Sequence, residues 1–150
     1  MEPKSMRDLI AGVYARYVTV RPDGLELCPG ETVDSLAARM LGFHPARTLY
    51  ERRQPICRSL DAVRPLQGEQ TCAGCVFRSK CTQQMCVELV AEGVPARLLL
   101  AFTSLRNFLV FVEERRRHAK PIEGANILVA VRNRGHWGEV CFLEDRTPGA

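Results

Sequence analysis

ETVDSLAARMLGFHPARTLY, residues 31 to 50, decides whether the first half of the chain is helical. Val33, Leu36, Ala37, Met40 and Leu41 fall at i, i+3, i+4, i+7 and i+8, the spacing that gathers apolar side chains on one helical face. Thr32 is available as an N-cap and Gly42 as a stop, so the stretch Glu31 to Gly42 predicts an amphipathic helix. Read on to Tyr50, the same stretch has the cast of a helix-turn-helix: a small residue in the first helix, Gly42 at the turn, and a second helix opened by Pro45. Arg47, Arg52 and Arg53 would then face a duplex, which keeps a duplex-DNA binder using residues 33–53 as an alternative.

Outward from this stretch the local signals are clearer. Upstream, Tyr14 to Val20 is rich in aromatic and β-branched residues and runs into the turn signal Pro22-Asp23-Gly24. A second short strand then ends at Cys28-Pro29-Gly30. Downstream, Pro55 to Thr82 shows no lasting period. After it, Arg97 to Phe102 reads as a buried strand and Ser104 to His118 as a helix with Leu105, Phe108, Leu109 and Val112 on one face. Pro121 ends that helix, and Arg115, Arg116, Arg117 and His118 complement the partial negative charge of its last carbonyls. Asn126 to Arg132 and Glu139 to Glu144 predict two strands joined by the turn 133–138. With no repeat or linker, residues 1–150 read as one domain with a frayed tail over 145–150.

The 150 residues are 46% hydrophobic and 25% charged, spread evenly enough to exclude a disordered chain and sufficient for one core. No apolar run approaches the ~20 residues that span a bilayer, and Met1 to Asp8 lacks a signal-peptide pattern, so the expectation is a cytoplasmic protein with no membrane partner. A net charge of +4 is too mild to identify a polyanion partner; the placement of the cations matters more.

Seven cysteines, an odd number, with four of them between residues 72 and 86, fit metal better than a disulfide framework. Cys72-Ala73-Gly74-Cys75 is a C-x2-C knuckle, whose spacing turns two thiolates toward one point. Cys81 follows six residues later and Cys57 precedes by fifteen, so a loop can complete a four-thiolate Zn2+ site from Cys57, Cys72, Cys75 and Cys81. Cys86 is an alternative fourth ligand, although with Val87 and Leu89 it also reads as the start of a core segment. A redox role for the knuckle would need a strand before it, which Gln67 to Thr71 does not supply. Cys28 and Cys141 stand among apolar neighbours as small buried hydrophobes.

With these motifs in order, the chain resembles short phage and mobile-element proteins associated with single-stranded-DNA binding. The resemblance covers about residues 55–144: Pro55-Ile56-Cys57-Arg58-Ser59-Leu60-Asp61 with Pro65, the knuckle with Cys81, Val94-Pro95 before a strand, Thr103-Ser104 opening the helix, and the final pair of strands. It implies an α+β fold, an OB-like small β-barrel with a four-cysteine zinc-ribbon-type loop insertion at about residues 55–86 and one long helix in the C-terminal half.

Single-strand binding needs cations that follow phosphates and aromatic faces on which bases stack. Arg52, Arg53, Arg58, Arg64, Arg78 and Lys80 surround the cysteine loop, and Arg132 and Arg134 flank the turn that carries His136 and the single tryptophan, Trp137. Tyr50 stands just before the basic pair, where a barrel groove would present it. Trp137 reads equally as a stacking platform or a core edge, and Phe77 more simply as packing within the metal loop. The expected function is therefore non-enzymatic, zinc-stabilised nucleic-acid binding, with single-stranded DNA favoured. A closed four-cysteine site leaves no position for a reacting water, and His44, His118 and His136 have no triad or ligand spacing. A second class is a zinc-stapled adaptor that meets another protein of a replication, recombination or mobile-element complex through its Leu98 to Phe111 surface.

Overall fold

A computed structural model of the chain describes residues 16–59, 72, 75 and 78–146. Ten strands and one helix are described: β1 (Arg16–Tyr17), β2 (Thr19–Arg21), β3 (Gly24–Cys28), β4 (Glu31–Val33), β5 (Ser35–Glu51), β6 (Gln54–Ser59), β7 (Thr82–Ala91), β8 (Val94–Leu100), α1 (Phe102–Arg117), β9 (Asn126–Asn133) and β10 (Gly138–Glu144).

The spine is β5, whose 17 residues pair with three other strands. Along one side β7 runs antiparallel from Ala38↔Ala91 to Thr48↔Thr82. Along the other, β9 covers Ser35 to Arg39 and β6 covers Arg47 to Glu51. The middle of β5 therefore has a strand on one side only, and Pro45, which has no N–H to give a ladder, falls in that gap. The complete order is β1-β8-β7-β5-β9-β10, with β6 also on β5, and a separate antiparallel sheet β2-β3-β4.

Burial follows the two-residue period of a strand. Leu36, Ala38 and Met40 are buried while Ser35, Ala37 and Arg39 are exposed. A bulge between Met40 and Gly42, opposite Leu89 and Glu88, inserts one residue and switches the parity, so that beyond it Phe43 faces the core. There Phe43 meets Phe108 of α1 edge-on at 5.1 Å, and Phe108 meets Phe142 of β10 at the same distance. Leu25 and Leu27 of β3 join the same core with Leu89, Leu98 and Ile127. Beyond the bulge the opposite face of β5 and β7 holds a second buried set, Ala46, Thr48, Gln84 and Cys86.

Several expectations are corrected by this architecture. The helix predicted over Glu31 to Gly42 is strand, and so is the segment that suggested a helix-turn-helix: Ser35–Glu51 is one extended element, with no helix between residues 33 and 53 to enter a groove. The reason is tertiary: Leu36, Ala38 and Met40 also alternate, and pairing with β7 and β9 buries them together. The α+β, OB-like barrel is not formed: the described residues are mostly strand with a single α-helix, and the larger sheet is open, since β10 does not pair with β1. The zinc-ribbon-type insertion is likewise not found: among the described residues no group of three or more His, Cys, Asp or Glu is placed to hold a metal ion. The C-terminal helix and the final hairpin stand where their periods put them, although the helix begins at Phe102. Among the described residues no helix is long and apolar enough to cross a membrane.

Candidate functional site

Two of the four cysteines of the predicted metal set, Cys57 and Cys81, stand at one end of β5. Cys57 lies in β6 opposite Leu49, and Cys81 immediately precedes β7, whose Thr82 pairs with Thr48, so the two flank β5 at the same level. The Cys75 N–H donates to the Cys72 carbonyl at 3.3 Å, which closes the knuckle turn, and a 3-10 turn over Arg78–Lys80 leads into Cys81. Burial pushes the Cys81 thiol above its ordinary pKa, and Cys75 raises it further; Arg47 opposes the shift, and Cys57 and Cys72 add to it. None of the seven cysteines is in a disulfide. In chemistry the donor set fits a soft divalent cation, though the sulfurs are not drawn into a closed ligand group. Cys86 is elsewhere: it is fully buried in β7 opposite His44, with its thiol pushed up to about 11 mainly by burial.

A groove of about 660 Å³ opens near the same end of the sheet. Its walls are the start of α1 with its N-cap residue (Ala101 to Ser104), the β9–β10 turn (His136, Trp137), β2 and the turn after it (Val20, Pro22), and Tyr50 of β5. Three of its aromatic side chains are open to solvent: Tyr50 is 40%, Trp137 44% and Phe102 81% exposed. Tyr50 and Trp137, 87 residues apart in the chain, thus share one surface. Helix α1 starts at this groove without a side-chain cap and without an acidic residue in its first turn, leaving its partial positive end unopposed.

Tyr50 is held by a chain of polar groups. Gln84 donates from Nε2 to the Tyr50 hydroxyl at 3.1 Å, and its Oε1 accepts from the Thr48 hydroxyl at 2.6 Å. Thr48 in turn accepts from Arg58 Nε at 3.3 Å, while the Arg58 guanidinium stacks over the Tyr17 ring at 5.1 Å. Arg58, next in sequence to Cys57, thus braces Thr48 through its Nε while its guanidinium packs on Tyr17.

The remaining predicted cations differ in their availability. Arg52 and Arg53 form the two-residue β5–β6 turn, exposed, beginning two residues beyond Tyr50, with φ of 51° and 68°. Arg132 and Arg134 both approach Glu139, at 4.0 and 3.0 Å, so a carboxylate sits beside the cations that flank Trp137. Lys80 is exposed beside Cys81. Arg78 begins the 3-10 turn, while Arg64 and Phe77 lie outside the described residues. Phe102 and Tyr17 were not among the candidates, Phe102 because RLLLAF reads as a strand to its last residue.

No family model matches the chain, and no curated protein or solved structure is similar to it.

Proposed function

We propose that this is a non-enzymatic nucleic-acid-binding protein that takes single strands, DNA in the first place, in the groove between α1 and the β9–β10 turn. The observation that carries the reading is the convergence of Tyr50, Phe102 and Trp137, exposed, around one groove. Unstacked bases supply the flat apolar faces such a groove accepts, at ~1–3 kcal/mol per stacked base. Arg52 and Arg53, exposed in the turn that follows Tyr50, are the cations offered to the phosphates. A duplex hides its base faces, and with residues 35–51 in a strand no helix is offered there to its major groove.

Zn2+ on Cys57, Cys72, Cys75 and Cys81 belongs to the same proposal. Cys57 and Cys81 flanking one end of β5, together with the closed Cys72–Cys75 turn as a second thiol pair, support it. When bound, the ion would tie the knuckle to β6 and β7 and fix the cysteine loop near the groove. Cys75→Ser is expected to lower the metal content of the purified protein toward zero; full stoichiometric metal in that variant rules out this ligand set.

The deciding experiment is a titration of Trp137 fluorescence with an oligo-dT strand, the matching duplex and the same strand as RNA, at rising salt. Quenching by the single strand, weakening steeply as salt rises, is expected. Absence of binding, or tighter binding of duplex, overturns the proposal.

A further inference from the structure

Helix α1 buries Ser104, Phe108 and Phe111 against the sheet and leaves its other side open. At ~100° per residue, Phe102, Arg106, Leu109, Val110, Glu113 and Arg117 share one arc of that open side. At its centre Leu109 and Val110 are 47% and 60% exposed, in a shallow depression of about 540 Å³. Arg106, also exposed, makes no ion pair with a described residue, whereas Glu113 holds Arg116 and Arg117 at 3.2 and 3.9 Å.

The order of these residues is self-complementary, and we propose that this face joins two copies of the chain in an antiparallel α1–α1 pair. The two-fold axis passes between Leu109 and Val110. Leu109 then lies against Val110 of the second copy and Arg106 against Glu113 of the second copy. Each contact occurs twice, as isologous symmetry requires. Apolar meets apolar and cation meets carboxylate. Sliding one helix by a turn toward the C-terminal end would instead set Arg106 against Arg117 of the second copy and Leu109 against Glu114 of the second copy. The charge pattern thus selects both the occupant and its register.

A helix of 16 residues is about 24 Å long, so one helix pair buries less than the ~1,200 Å² typical of stable complexes. The dimer is accordingly weak and concentration-dependent. Sedimentation velocity of the full chain between about 10 μM and 1 mM covers the affinities such a contact allows. The wild type is expected to shift from monomer to dimer across that range. Arg106→Glu, which opposes two carboxylates at each end of the seam, should weaken the dimer at least ~10-fold. Arg106→Glu with Glu113→Arg should restore it, which a fold defect would not do. A wild type that stays monomeric throughout overturns the proposal. So does a dimer indifferent to Arg106→Glu, and so does a double reversal that fails to restore association.

Discussion

Gln84 is buried in β7 and uses both ends of its amide, donating to the Tyr50 hydroxyl and accepting from Thr48. Gln84→Leu would leave two hydroxyls without those partners, one of them fully buried, at a cost of ~1–3 kcal/mol. A lower denaturant midpoint with unchanged slope is the expected signature. Tyr50→Phe separates ring from hydroxyl: stability should fall by ~1 kcal/mol while single-strand affinity is kept. Tyr50→Ala should lose ~1–3 kcal/mol of binding. Equal affinity of Tyr50→Ala and the wild type would remove this residue from the groove's function. The glycine at 138 belongs to the same wall: a methyl there would run into the Arg21 carbonyl and the Val131 side chain, where the β2–β3 turn meets the β9–β10 hairpin. Gly138→Ala should therefore destabilise the fold by ~1–3 kcal/mol, checked by thermal unfolding.

The β5–β6 hairpin shows conflict between local preference and proposed use at the level of an element. A two-residue turn with both φ positive is the kind that Asn-Gly fills, yet Arg52 and Arg53 occupy it. Replacing the pair by Asn-Gly should raise stability by ~1 kcal/mol through relief of backbone strain. It should also weaken single-strand binding and reduce the salt slope by ~1.4, for two lost phosphate contacts at ~0.7 each. A stabilised variant with unchanged binding would show that these arginines contact no phosphate. The same comparison shows what a local pattern can reveal. Helix α1 and the β9–β10 hairpin were legible because period and turn signals lie within each segment. Ser35–Glu51 was not, because its helical spacing is overridden by ladders to residues as distant as Ala130, which no local window contains. The Cys72–Cys75 turn was legible from its spacing, whereas the exposure of Trp137 was not, since its flanking glycines fit a stacking platform and a core edge equally. The partners of Arg58, Tyr17 and Thr48, were not legible because they come to it only through the sheet.

Across the whole molecule, α1 is tied to the edge strand β10 by a carboxylate at each end of the strand. Glu139 accepts from Asn107 of α1 at 3.1 Å and from Arg134 at 3.0 Å. Glu144 takes Arg115 of α1 at 2.9 Å and Lys120 at 3.3 Å. The Asn107 hydrogen bond first, then Arg134 and Arg132, hold the Glu139 carboxyl below its ordinary pKa against the opposing effect of burial. The Lys120 hydrogen bond first, and then the charges of Lys120, Arg115 and Arg146, do the same for Glu144. Because both folded-state values lie below the unfolded ones, each group binds its proton more readily in the unfolded chain. Their stabilisation is complete above the unfolded glutamate pKa of ~4.3 and is lost as pH falls through the lower folded values. Denaturant midpoints should therefore be flat with respect to these two groups from neutrality to about pH 5 and decline below it. Glu144→Gln removes one of the two titrations, so its stability at neutral pH should be lower and its decline in acid shallower than in the wild type. Parallel acid profiles for the two proteins would show that Glu144 does not couple proton binding to the attachment of α1.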